Sequence, residues 1–95
     1  MKIKSSVIEK YSQLCMKSYL SCDSFEEVKY KIKKCVTLGQ VVKVEGSTKH
    51  IQYYYNRFIV ENGEVIDLYQ DKNTYIEVSE RVKAAYDRLE GKVVV

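Results

Sequence analysis

The chain has no tryptophan and no proline, one histidine, three cysteines and four glycines. Without proline or a glycine period, a collagen-like architecture is excluded. Gly39, Gly46, Gly63 and Gly91 are scattered, so no glycine-rich loop exists to cradle phosphates. His50 is the lone imidazole, and no serine or cysteine is placed by spacing to act as its nucleophile, so the expectation is a protein that is not an enzyme. No apolar run approaches the roughly 18 residues that a membrane span needs. The opening Met1-Lys2-Ile3-Lys4-Ser5-Ser6 has no apolar segment of the kind secretory signals carry, which implies a cytoplasmic chain.

The cysteines are Cys15, Cys22 and Cys35, an odd number without CxxC spacing. A disulfide framework is not expected for such a set outside the secretory route. With His50 they reach the Cys3His count of a zinc site, but zinc sites usually contain at least one close ligand pair and none is present. They read as small buried residues, and no metal or cofactor is expected.

What remains is the composition of one globular domain. The 95 residues carry a formal net charge of +3, with 45% hydrophobic and 31% charged residues, neither polar enough for disorder nor long enough for a second core. Residues 1–95 are therefore read as a single small α+β domain. Nine tyrosines stand out. Residues with AT-rich codons (Phe, Tyr, Met, Ile, Asn, Lys) far outnumber Gly, Ala, Arg and Pro, a bias that suggests an AT-rich genome such as that of a virus or mobile element.

Two amphipathic helices come first. Val7, Ile8, Tyr11, Leu14, Cys15 and Tyr19 recur at helical spacing from Ser5 to about Leu20, with Ser5 or Ser6 as the cap. Ser24-Phe25-Glu26-Glu27 has the capping-box pattern, followed by the stripe Phe25, Val28, Ile32, Cys35 and Val36 and by Gly39 as a left-handed terminator. The pair is expected to form an N-terminal αα-hairpin. The period then changes to two. Strands are expected over Gln40–Glu45, His50–Val60 and Glu64–Gln70, with a short fourth over Thr74–Val78 and a final helix capped by Ser79 and running to Glu90. A helix starting earlier, at Thr74, competes with the fourth strand. Val93–Val95 would add an edge strand or form a tail. The fold class is α+β: an αα-hairpin, an antiparallel three- to four-stranded meander and a C-terminal helix.

Side-chain pairing sets the expected register. A three-residue loop, Glu61-Asn62-Gly63, places Phe58 opposite Ile66, Arg57 opposite Asp67 and Tyr55 opposite Tyr69. A two-residue loop pairs Phe58 with Asp67, a poorer match. The same reasoning at Ser47-Thr48-Lys49 pairs Val44 with Gln52 and Val42 with Tyr54. One sheet face, with Val42, Val44, Tyr54, Phe58, Val60, Ile66 and Leu68, then meets the helices. The other carries Tyr53, Tyr55, Arg57, Ile59, Val65 and Tyr69, and these six are the candidate protein interface, because tyrosine and arginine are enriched in binding hot spots. If the last helix packs on that side, the same residues become ordinary core.

A second candidate surface is basic: Lys29, Lys31, Lys33 and Lys34 around Tyr30, suited to phosphate contacts. Opposing it, Glu26 and Glu27 at the start of that helix and lysines toward its end are what the helix dipole favours without a ligand, and +3 is modest for a nucleic-acid binder. The expected function is a small non-catalytic interaction module that presents tyrosines to another protein or to a second copy as a homodimer. For a mobile-element protein the partner would be a host protein, such as a defence enzyme that it blocks. The alternative is a nucleic-acid-binding regulator using the second helix. No small-molecule substrate and no membrane are evident.

Overall fold

The computed structural model describes residues 1–91, so Val93–Val95 lie outside the described residues. In chain order the elements are β1 (Lys2–Ile3), α1 (Ser5–Leu14), α2 (Met16–Leu20), α3 (Phe25–Leu38), β2 (Gln40–Glu45), β3 (Thr48–Tyr53), β4 (Asn56–Glu61), β5 (Glu64–Gln70) and α4 (Glu80–Leu89). The strands form one sheet in the order β1-β5-β4-β3-β2, with β1 parallel to β5 and the other neighbours antiparallel. The architecture is α+β, but the sheet is mixed and five-stranded where an antiparallel one of three or four strands was expected. No described helix is long and apolar enough to cross a membrane.

The N-terminal strand explains the first departure. Lys2 and Ile3 pair with Glu64 and Val65, and the Lys4 N–H donates to the Val65 carbonyl at 3.0 Å. The chain leaves this pairing straight into α1, so Lys4 occupies the N-cap without a side-chain bond, and neither Ser5 nor Ser6 caps. The expected single helix breaks at Cys15, whose backbone (φ −121°, ψ 50°) is not helical. Ser24 caps α3 by accepting from the Glu27 N–H at 3.2 Å. Glu27 reaches back to the Asp23 N–H, one residue before the Ser24 N–H that a capping box uses. Rather than forming an αα-hairpin held mainly by mutual contact, α1 lies on β5 and α3 on β3.

Gly39 ends α3 for a reason other than the expected left-handed turn. Its backbone is extended (φ −69°, ψ 173°), and a Cβ there would stand 2.7 Å from the Gln52 carbonyl oxygen, 2.8 Å from Ile51 Cγ2 and 2.9 Å from the Cys35 carbonyl oxygen. The glycine lets α3 turn into β2 with its backbone pressed against β3.

The strands depart most from expectation in the middle. The stretch read as one strand, His50–Val60, is a hairpin: Tyr53 pairs with Asn56, leaving Tyr54-Tyr55 as a two-residue turn with Tyr54 at φ 56°. The other hairpin loops also have two residues. Glu61 pairs with Glu64 around Asn62-Gly63, whose φ values of 49° and 76° suit a type I′ turn. Glu45 pairs with Thr48 around Gly46-Ser47, not around Ser47-Thr48-Lys49. Bulges then reset the phase. On β5, Val65 pairs with Val60 but Asp67 with Ile59, which leaves Ile66 as the extra residue. Phe58 consequently faces Leu68, and Arg57 faces Tyr69, in place of the expected Phe58–Ile66 and Arg57–Asp67 pairs. Strict alternation cannot bury both Val65 and Leu68, which are three apart; the bulge does, and both have no exposed surface. On β2 the bulged residue is Val42, between the Val41–Ile51 and Lys43–His50 pairs. Of the expected strand Thr74–Val78, only Ile76 bridges, to Tyr54, and α4 follows with Ser79 as its cap.

The core lies between the sheet and the helices α1 and α3. Val7, Ile32, Phe58, Val65 and Leu68 are fully buried there. The last helix packs beside α3, with the Tyr30 and Tyr86 rings 5.8 Å apart. Because the atoms facing Gly39 are mostly backbone and cannot yield, Gly39→Ala is expected to lower unfolding stability by about 1–3 kcal/mol through overpacking, read as a lower urea midpoint with an unchanged slope.

Candidate functional site

The face of the sheet away from α1 and α3 carries a polar network at its Tyr54-Tyr55 end. Gln52 and Arg57 are cross-strand partners. Gln52 is fully buried, donating from Nε2 to the carbonyls of Tyr54 (2.9 Å) and Thr74 (3.1 Å) and accepting at Oε1 from Arg57 Nε (2.9 Å). Arg57 Nη2 donates to Asp71 Oδ2 at 2.9 Å. The Asp71 carboxylate also accepts from the Asn73 N–H and the Thr74 hydroxyl. These bonds strap the 71–79 segment against the turn. The partner of Arg57 is thus Asp71, not Asp67, which bonds Lys10 of α1 instead. Lys10, as donor to the Asp67 carboxylate, holds that group below its ordinary pKa.

The tyrosines form a chain of rings around the strap. Tyr53 and Tyr54 meet edge-on with centroids 4.8 Å apart, Tyr54 and Tyr75 at 5.6 Å, and Tyr55 and Tyr75 at 4.7 Å. The Tyr54 hydroxyl donates to the Val78 carbonyl at 2.8 Å and accepts from Lys83 Nζ at 2.8 Å. Bonds to Glu80 and then Tyr54 raise the Lys83 ammonium pKa.

The six residues expected on one face are not brought together. Tyr55 and Tyr69 are exposed, at 46% and 40%. Arg57 is mostly covered by its own network, and Ile59 is buried on the central strand. Tyr53 points the other way and packs against the helix-side core, where burial raises its phenol pKa. Val65 is entirely inside, beneath the helices. The hairpin turn at Tyr54-Tyr55 and the bulge at Ile66 shift these phases. The final helix packs beside α3. Tyr75, absent from the sequence reading of the surface, is 48% exposed and joins Tyr55. Its placement depends on the Ile76–Tyr54 bridge, a contact without a local sequence signal.

The lysines of α3 divide as well. Lys31 and Lys34 turn into a cleft of about 490 Å³, lined also by Tyr11, Cys15, Tyr53 and Asp87. Lys34 pairs with Asp87 at 2.9 Å, and the Tyr30 hydroxyl donates to the same carboxylate. Lys31 donates to the Ser21 hydroxyl at 2.6 Å. Lys29 lies 3.6 Å from Glu26, and Lys33 is exposed. Lys29 and Lys34 thus have acidic partners within the chain, while Lys31 bonds neutral oxygens. Burial raises the thiol pKa values of Cys15, Cys22 and Cys35, the last to about 12, which disfavours the thiolate that nucleophiles and metal ligands use. His50 Nε2 is 3.3 Å from Glu45.

Comparison with family models, with curated proteins and with solved structures found no match.

Arg57 is the keystone of the strap. Arg57→Ala leaves Gln52 and Asp71 with unmet bonds and is expected to cost about 2–4 kcal/mol. Arg57→Lys should recover little of it, because one ammonium cannot reproduce the Nε and Nη2 donations together. Thermal unfolding of both variants checks this.

Proposed function

We propose that the chain is a small, non-catalytic protein-interaction module whose docking surface is the tyrosine group at the turn end of the sheet, Tyr55, Tyr69 and Tyr75. One observation carries the reading. These phenols keep between 40% and 48% of their surface exposed, while Tyr55 and Tyr75 hold each other at 4.7 Å on a turn fixed by the Gln52–Arg57–Asp71 network. A docking ring already held in place loses less side-chain entropy on binding, and tyrosine offers an apolar body with a polar tip. In its finer form the protein is cytoplasmic and comes from a mobile element, and the partner is a host protein such as a defence enzyme, blocked by occupation of its surface. The basic helix supports the nucleic-acid alternative less well, since Lys31, Lys34 and Lys29 have internal partners.

The test compares three baits on host-cell extract: wild type, the triple variant Tyr55→Ser/Tyr69→Ser/Tyr75→Ser, and Lys29→Gln/Lys33→Gln, each shown to be folded by circular dichroism. A protein held by the wild type and the lysine variant, but lost at least about tenfold by the tyrosine variant, is the expected result, the size of a modest hot spot. Equal retention by the tyrosine variant removes this surface from the proposal. Salt-sensitive binding of a single-stranded oligonucleotide that the lysine variant abolishes would favour the alternative.

A further inference from the structure

The two edges of the sheet are unequal. On one side β5 is met by β1, and beyond it by α1, whose Lys10 bonds Asp67. On the other side lies β2, with all six residues exposed and, among the described residues, no strand paired to its outer edge. Val41, Val42 and Val44 are 48%, 36% and 60% exposed. An edge strand with unpaired N–H and C=O groups is a template for another strand.

We propose that two copies of the chain pair antiparallel through β2, about a two-fold axis that passes beside Val44 and normal to the sheet, joining their sheets into one. This surface is separate from the tyrosine group and does not depend on it. The geometry selects both the partner and the register. Glu45 and Thr48 close a two-residue hairpin loop, and residues in that position exchange both backbone bonds with each other. The next residue, Val44, therefore turns its N–H and C=O away from β3, so two Val44 residues facing each other across the axis supply two reciprocal hydrogen bonds.

Side chains favour the same register. Val44 lies opposite Lys49, which is opposite Val60 of the core, so Val44 is on the helix side, where it meets its copy. Lys43 and Glu45 lie on the other face, 3.4 Å apart within one chain. With Val44 on the axis, each Lys43 stands opposite the Glu45 of the other copy, giving two ion pairs from one self-complementary strand. Moving the axis to Lys43 sets the two ammoniums opposite each other. Moving it to Val42 centres the pairing on the bulge. A two-fold normal to the sheet keeps the helices of both copies on the same side of the joined sheet.

The test is sedimentation velocity of the full chain from about 1 µM to about 1 mM, the range for a small transient interface. The expected result is a monomer–dimer equilibrium. Val44→Pro removes only an outward N–H and a side chain that is already exposed, so it should leave the fold intact and abolish the dimer. Lys43→Glu and Glu45→Lys should each raise the dissociation constant about tenfold by opposing like charges twice, and the double swap should restore it to within about threefold. A wild type that stays monomeric throughout overturns the proposal, as does a dimer that survives Val44→Pro. Single swaps that weaken the dimer without rescue by the double swap overturn the register.

Discussion

The turn at Tyr54-Tyr55 is the constraint around which the rest of the sheet is arranged. A bulky residue at φ 56° sits in a region that costs about 1–3 kcal/mol and persists only where surroundings over-determine it. Here they do. The Tyr54 backbone exchanges two hydrogen bonds with Ile76, its carbonyl also accepts from Gln52, and its hydroxyl is held between Val78 and Lys83. The Tyr55 carbonyl takes the Asp71 N–H. The 71–79 segment thus has two roles: it leads to α4, and it holds in place a turn that the local residues would not adopt alone.

The turn sorts the polar and aromatic groups by side. It sends Tyr53 toward α3 and Arg57 outward, though the two are only four residues apart. Once Arg57 is outward, Gln52 can be buried without leaving an amide unpaired, because guanidinium and strap between them satisfy both ends of its side chain. A buried polar network is worthwhile only when every member is bonded, and this one is. Its rigidity is what makes the neighbouring exposed phenols a defined surface rather than loose side chains.

Much of this was legible in the residues. Helical spacing located α1, α3 and α4, Ser24 and Ser79 announced their helices, and Asn62-Gly63 marked its hairpin. Three features were not legible, each for a physical reason. The Tyr54 turn contains no glycine, proline, asparagine or aspartate, since remote bonds and not local preference stabilise it. The register failed because pair matching assumed unbroken alternation, while the protein uses the tighter loops and discards one residue on β5 and another on β2. The strand at Lys2–Ile3 is too short to show any period. The candidate site suffered accordingly: Tyr55 and Tyr69 stayed on the surface, whereas Val65 and Tyr53 were carried inward by the bulge and the turn.

That two-residue strand also orders events in time. Lys2 and Ile3 leave the ribosome well before their partners, Glu64 and Val65. Parallel pairing over so long a separation must bear the loop-closure entropy before any contact repays it. The pairing of β1 and the seating of α1 on β5 therefore close only once β5 has been made. Vectorial synthesis leaves the apolar stripe of α1 without its sheet until that moment.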